Sequence, residues 1–229
     1  MLKIENTITP NDEWWEAVVR GVRNPFDSWD KSDSYWLEYT YHIGEKDLAL
    51  MKKLAKAGDD HGKFLRMIPV VCDITAPLYW WKEMDTYKVG TVADSCSTMH
   101  TIANKEFTLE DFSTEHLLNT GLDLFEFTWD NGMFARNVQP LDFMLMFIIP
   151  SLNRCRQKYL ETKDKDAWWQ LIQLLPTSYN QKRTWTANYQ VLKHIYNSRN
   201  GHLLDEWETM RQFIRMLPYR ELITGEENG

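Results

Sequence analysis

The chain has 229 residues, of which 43% are apolar and 26% charged, so its length and composition suit one soluble globular domain, 1–229. Its formal net charge of −7 argues against a nucleic-acid partner, which would need a basic surface. The longest apolar run, Phe143 to Ile149, is far shorter than the roughly 20 residues of a membrane span, so we expect no membrane partner either.

The three cysteines, Cys72, Cys96 and Cys155, are too few and too scattered for a disulfide framework or a zinc site. A reducing compartment is therefore expected, and no metal site is predicted. The first twelve residues carry no charged-then-apolar signal pattern. Together these observations predict a cytoplasmic protein.

The N-terminal quarter predicts two helices. Thr9-Pro10 resembles a helix start, and the helix should carry Trp14 to Arg23 and end before Asn24-Pro25. The segment 27–41 is aromatic and mixed, and it indicates no firm element. Glu45 to Ala57 is amphipathic, and Gly58 is a natural stop for that helix.

The central part predicts a strand, a helix and a loop. Phe64 to Thr75 is rich in apolar and β-branched residues, which favours a strand whose Pro69 lies at an edge or a bulge. Ala76-Pro77 then opens an aromatic helix that reaches Met84. The polar stretch Thr86 to His100 predicts a loop.

From Thr108 onward every predicted element is a helix. A short helix should start at Thr108, and the longer helices should cover 140–160 (with Pro150 kinking or breaking it), 164–175, 180–199 and 202–217. The order of elements predicts an α+β fold in which helices pack on one modest sheet.

One segment carries a family resemblance. A strand that runs into Ala76-Pro77, followed by an aromatic helix and Thr86-Tyr87-Lys88, resembles the signature of flavin-dependent thymidylate synthases. In that family the three last positions read Arg-His-Arg. Without gaps, Cys96-Ser97-Thr98 then fall on the family's Ser-Gly-Arg. Downstream, Trp185 to Asn188 and Arg199 resemble the family's Trp-Thr-x-Asn and Arg at matching spacing.

The resemblance implies a fold of helices on a mostly antiparallel sheet, a homotetramer, and reductive methylation of dUMP or a related pyrimidine nucleotide. It implies FAD as cofactor, with NADPH and a folate one-carbon donor. Arg199 would be the catalytic residue, since the matching arginine contacts and activates the pyrimidine. The residues that would bind the flavin are Arg66, Thr86, Tyr87, Lys88 and Asn188. Those that would bind the substrate are Glu83, Asp94, Cys96, Ser97, Thr98 and Arg199.

Several departures from the family pattern keep a second hypothesis open. Only Lys88 retains a positive charge where the family has Arg-His-Arg, Met67 replaces a flavin-side histidine, and Thr98 replaces an arginine that binds phosphate. The alternative is a non-catalytic scaffold, or a nucleotide-binding protein, that has the fold and has lost the flavin.

Simpler structural roles also remain open for single residues. Glu83 and Tyr87 could be a surface ion-pair partner and a half-buried tyrosine. Arg199 could merely complement a helix dipole, because it precedes Asn200-Gly201. The basic residues in an otherwise acidic chain could form a solvated face instead of a phosphate site; they are His61, Lys63, Arg66, Lys82, Lys88 and His100.

Overall fold

The computed structural model describes residues 1–117, 121–129, 132 and 134–226, and it combines helices with strands. The strands are β1 (Lys3–Ile8), β2 (Tyr35–Leu37), β3 (Thr40–His42), β4 (Pro69–Pro77), β5 (Val92–Ser95), β6 (Phe125–Trp129), β7 (Phe134–Val138) and β8 (Asn180–Asn188). The predicted α+β class is confirmed.

The helices of the described residues are mostly short. They are α1 (Asp12–Arg23), α2 (Glu45–Lys56), α3 (Leu78–Met84), α4 (Thr98–Thr101), α5 (Pro140–Phe143), α6 (Ile149–Thr162), α7 (Lys165–Leu174), α8 (Tyr189–Ser198), α9 (Glu206–Arg215) and α10 (Glu221–Thr224). Single 3-10 turns cover 24–26, 29–31, 62–67 and 109–111. None of these helices has the length and apolarity needed to cross a bilayer.

One four-stranded sheet has the order β1-β4-β8-β5, and β2–β3 and β6–β7 are antiparallel hairpins. Alternate residues of β4 are buried, among them Val70, Cys72 and Ile74, as expected for a strand with one face on a core. Burial raises the pKa of the Cys72 thiol to about 12, with help from the negative charge of Asp73, so this cysteine is inert.

The chain divides into two compact units. The first comprises Met1, Thr75–Lys82 and the described residues of Ser95–Lys182. The second comprises Leu2–Ile74, Glu83–Asp94 and the described residues of Arg183–Gly229. The assignment of 1–229 to a single domain stays a prediction.

The first unit has an apolar core with an interruption in its longest helical run. Its core residues are Ile102, Ala103, Phe107, Phe112, Met144, Ile149, Leu152 and Leu171. The predicted helix 140–160 contains one π-helical turn, Met144–Ile148, in which the Ile149 amide donates to the Met144 carbonyl. Pro150 directly follows this turn, where the regular α-helical hydrogen-bond pattern is already interrupted.

The second unit contains a buried ion pair that joins α1 to α2. Arg23 Nε donates to Asp47 Oδ1 at 2.6 Å, and the hydroxyls of Ser32 and Ser34 donate to Asp47 Oδ2. Burial opposes ionisation of Asp47, but hydrogen bonds from Ser32, Ser34 and Arg23 outweigh it and lower its pKa. The carboxylate therefore remains charged and fully bonded inside the protein.

The helices α2 and α7 agree closely with the predicted ranges, whereas several other predicted elements were wrong. Asn11, not Thr9, caps α1, because its side chain accepts from the Trp14 amide. Phe64 to Met67 form a 3-10 turn, and the strand starts at Pro69, where a missing amide hydrogen is tolerated. The predicted loop 86–100 contains β5 and the start of α4.

The largest error is the predicted helix over 180–199. Its first half is β8, in which Gln181, Trp185 and Ala187 are buried while Lys182 and Thr184 are exposed. This alternation is typical of a strand, and Asn188 then caps α8. The last predicted helix begins at Glu206 instead of His202.

Candidate functional site

The second unit has a cavity of about 620 Å³. One wall is the segment that follows α3, and the other is the first two turns of α8. The lining residues are Asp59, Arg66, Thr86, Tyr87, Lys88, Val89, Gly90, Asn188, Gln190, Val191, Lys193, His194 and Asn197. All five residues that the sequence assigns to the cofactor therefore line one cavity.

Local hydrogen bonds determine the shape of the cavity wall that follows α3. The amides of Thr86 and Tyr87 donate to the carbonyls of Glu83 and Met84 and close a turn at the helix end. The Thr86 hydroxyl also donates to the Glu83 carbonyl, at 2.7 Å. The side chain of Thr86 thus stabilises the turn, which fixes the direction of the residues that follow.

The two walls lie close together at Gly90. Its φ is +82°, and a Cβ there would lie 3.1 Å from Asn188 Nδ2 and 3.1 Å from Val191 Cγ2. Asn188 Oδ1 accepts from the Val191 amide and so caps α8. A glycine is needed here both for the left-handed backbone and for the close approach.

The start of α8 is held by its first residue. Tyr189 is buried, its amide donates to the Ile68 carbonyl, and its hydroxyl donates to the Pro218 carbonyl. Burial raises the pKa of Tyr189, with the nearby Glu221 charge adding to the effect, so the phenol remains a donor. The residues of α8 that line the cavity therefore stand on a fixed helix.

The charged side chains of the cavity lining are mostly basic. Arg66, Lys88, Lys193 and His194 face one acid, Asp59, and Gln190 Nε2 donates to that acid at 2.7 Å. In the described part of the chain, Gln190 Oε1 is buried and accepts no hydrogen bond. The rings of His194 and Tyr87 are nearly perpendicular, and their centres lie 5.5 Å apart. Such a lining is suited to an anionic ligand with a planar ring.

Arg199 lies next to this cavity and is joined to it by Tyr87. Its Nε donates to the Tyr87 hydroxyl at 2.9 Å, and its Nη1 donates to Glu83 Oε2 at 3.1 Å. Its guanidinium lies 4.4 Å from the ring centre of Trp207. The structure thus brings together the predicted residues Glu83, Tyr87 and Arg199, although Arg199 lies more than a hundred residues after the other two in the sequence.

Glu83 Oε2 has two further polar neighbours. Trp207 Nε1 donates at 3.0 Å, and His202 Nε2 lies at 3.3 Å. The Leu204 amide donates to His202 Nδ1, so the imidazole proton must be on Nε2, which faces the carboxylate. Arg199 is also the C-terminal cap residue of α8, so a role at the helix end and a role beside the cavity coexist.

The remaining predicted substrate residues lie elsewhere. Asp94 is exposed on β5 of the second unit and does not line the cavity. Cys96, Ser97 and Thr98 belong to the first unit. There the Cys96 amide donates to the Lys182 carbonyl at 2.9 Å, and Ser97 precedes α4.

Sequence reasoning missed three cavity residues on α8. Lys193, His194 and Asn197, together with Gln190, have the spacing of one helix face. The wrong start of this helix hid the pattern, because 180–199 treated as one helix gives no reason to single out its second half. The strand over 181–187 gives little sequence signal, because its buried positions include the polar Gln181 and its apolar residues do not alternate regularly.

Comparisons with known proteins give structural matches only. No family model matches this sequence, and no curated protein does. Thymidylate synthase X (ThyX) from Helicobacter pylori, solved with FAD and dUMP, superposes with a TM-score of 0.62 at 14% identity, over 98% of this chain and 97% of that one. The UMP/dUMP methylase PolB from Streptomyces cacaoi, bound with 5-Br dUMP, superposes with a TM-score of 0.60 at 14% identity, over 98% and 95%.

Both matches extend over nearly the whole chain, so the resemblance found in the sequence holds for the fold. At this level of identity the likeness concerns the arrangement of elements and not the site. The chain has the fold of the flavin-dependent thymidylate synthases.

Proposed function

We propose that the chain is a flavin-dependent enzyme that binds dUMP or a related pyrimidine nucleotide and reductively methylates it. The observation that carries the proposal is the convergence of Arg66, Thr86, Tyr87, Lys88 and Asn188 on one basic cavity beside Arg199. ThyX, which was solved with FAD and dUMP, has the same fold and supports this assignment.

The residues of the cavity fit the chemical groups of FAD. Lys88, Arg66 and Lys193 are cations suited to its phosphates, and Gly90 leaves a narrow space that a side chain would fill. Tyr87 and His194 would contact an aromatic ring. When bound, the flavin would supply hydride chemistry, for which the protein contributes binding and orientation.

Arg199 would act on the nucleotide base. A guanidinium that is held in place by Tyr87 and Trp207 can donate hydrogen bonds to a pyrimidine carbonyl and stabilise charge that develops on the ring. We further propose NADPH as reductant, a folate one-carbon donor, a homotetramer and a cytoplasmic location. Light scattering behind size-exclusion chromatography tests the assembly.

The visible spectrum of the purified protein tests the proposal. We expect bound or added FAD to give a flavin spectrum that NADPH bleaches. Lys88→Ala should weaken FAD binding at least about fivefold, because a charged partner of a phosphate is lost. Lys53→Ala, which removes an exposed lysine of α2, is the matched control and should leave binding unchanged. Equal effects of the two variants would contradict the assigned site.

One observation favours a second candidate, a nucleotide-binding protein without flavin. The Thr86 hydroxyl already bonds the Glu83 carbonyl, so at a position where the family has arginine this side chain gives no charge to a ligand. A colourless protein that does not bind FAD but binds dUMP in calorimetry would establish this alternative. A protein that binds neither ligand would instead support the hypothesis of a non-catalytic scaffold.

A further inference from the structure

We infer that Glu83 is a specificity-determining residue that directs Arg199 toward the neutral edge of a pyrimidine base and away from phosphate. The inference rests on the proposed function for the identity of the ligand. An arginine beside a basic cavity would ordinarily be a strong phosphate site, because its planar fork matches that anion. The carboxylate at 3.1 Å changes this preference.

The charge balance around Arg199 supports the inference. Glu83 carries the charge that offsets the guanidinium. The other two neighbours of its carboxylate are the Trp207 indole and the His202 imidazole, and both are neutral when the His202 proton is on Nε2 alone. The Arg199–Glu83 pair is therefore neutral as a whole. A phosphate approaching Arg199 would meet the full negative charge of Glu83 a few ångströms away.

The free hydrogen-bonding positions also suit a base edge. Arg199 uses Nε on Tyr87 and Nη1 on Glu83, and Nη2 donates to none of the described residues. Within the same part of the chain, Glu83 accepts only through Oε2, which leaves Oε1 without a donor. The pair thus offers one donor and one acceptor, the two groups that the carbonyl and N–H of a uracil edge require.

The degree of burial is suitable for such a role. The Arg199 side chain is 18% exposed and the Glu83 side chain 35% exposed, so the pair is ordered and a ligand can still reach it. A buried pair could not meet a ligand, and a fully exposed pair would be screened by salt.

Calorimetry with two probes, inorganic pyrophosphate and dUMP, tests the inference. Glu83→Gln retains the shape and an acceptor but removes the charge, so we expect pyrophosphate affinity to rise at least about tenfold. The double variant Glu83→Gln/Arg199→Ala should not show this rise in pyrophosphate affinity. Asp85→Asn removes the same charge from a neighbouring acid that pairs with Arg183, and it should change affinity less than about twofold.

An equal response of Glu83→Gln and Asp85→Asn to pyrophosphate would overturn the inference. A measurement on the unmodified chain guards against a variant that fails to fold. dUMP methylated at N3 lacks the donor for Glu83, so it should bind about tenfold more weakly than dUMP, and equal binding would also overturn the inference. If no form binds dUMP, the proposed function fails, while the pyrophosphate comparison still decides the effect of Glu83.

Discussion

Two arginine–carboxylate pairs in the second unit differ in a way that separates structure from function. Arg23 and Asp47 are 9% and 1% exposed, and serine hydroxyls fill the remaining positions of the carboxylate. Arg199 and Glu83 are 18% and 35% exposed, and each retains an atom without a partner among the described residues. The carboxylate of the first pair has both oxygens bonded within the described residues, whereas that of the second leaves one oxygen open.

The difference indicates how structural ion pairs can be distinguished from pairs that are available for ligand recognition. A buried pair whose carboxylate has both oxygens bonded stabilises the fold only if it stays intact, because a lone buried charge is costly. A half-exposed pair with spare hydrogen-bonding positions contributes little to stability and remains available for recognition. The variants below test this distinction.

The largest expected effect is on stability, from Arg23→Ala. Asp47 would lose its charged partner inside the protein, so we expect the free energy of unfolding to fall by about 3–5 kcal/mol. Arg20→Ala, on the same helix, removes an exposed arginine that lies 3.5 Å from Glu16 and should cost less than about 1 kcal/mol. Urea denaturation measures both, and similar losses would remove the distinction between buried and exposed pairs.

The next effect is on binding, from Arg199→Ala. We expect dUMP affinity to fall about 10- to 100-fold, since a charged hydrogen bond to the base would be lost. The free energy of unfolding should fall by less than for Arg23→Ala. Arg183→Ala, which breaks the pair with Asp85, is the matched control for binding. Unchanged nucleotide affinity in titration calorimetry would refute the placement of the base.

Two glycine variants give a smaller and more local effect. Gly90→Ala and Gly58→Ala both place a side chain at positive φ, at +82° and +97°, and each should cost about 1 kcal/mol of stability. Only at Gly90 would the new Cβ meet the opposite cavity wall, because Gly58 has open space. Ligand titration should therefore show weaker nucleotide binding for Gly90→Ala alone. Equal binding by both variants would mean that this approach of the walls does not shape the site.

The smallest effect is the acid dependence of stability. The pKa of Asp47 is lower in the folded chain than in the unfolded chain, so folding is favoured above the unfolded pKa of about 3.9. That contribution is lost as the pH falls from there through the folded pKa. Asp47→Asn should flatten the decline in Tm below about pH 4, and an unchanged slope would show that other carboxylates control it.

The sequence predicted which five residues would meet in one cavity better than it predicted the elements that carry them. The five cofactor residues converge because the spacing after Ala76-Pro77 and the spacing between Asn188 and Arg199 each preserve a geometry that the fold requires. Spacing constrains position even where side-chain identity has changed, and this is why Thr86 and Tyr87 lie where the resemblance put them.

The partners of these residues could not be predicted. His202, Trp207 and Glu83 meet through tertiary contacts that no local pattern encodes. The error over 180–199 has a physical cause as well, since Asn188 both ends β8 and caps α8. A strand joined to a helix without an intervening turn residue leaves no glycine or proline to mark the boundary.

The π-helical turn before Pro150 constrains how this region can evolve. The turn holds one residue more than an α-helical turn would, and that excess lets the proline begin α6. Loss of one codon within 144–148 would restore a regular helix and move the proline into its interior, where its ring collides with the preceding turn. We therefore expect a deletion in this turn to be tolerated far better in a chain that has already lost the proline.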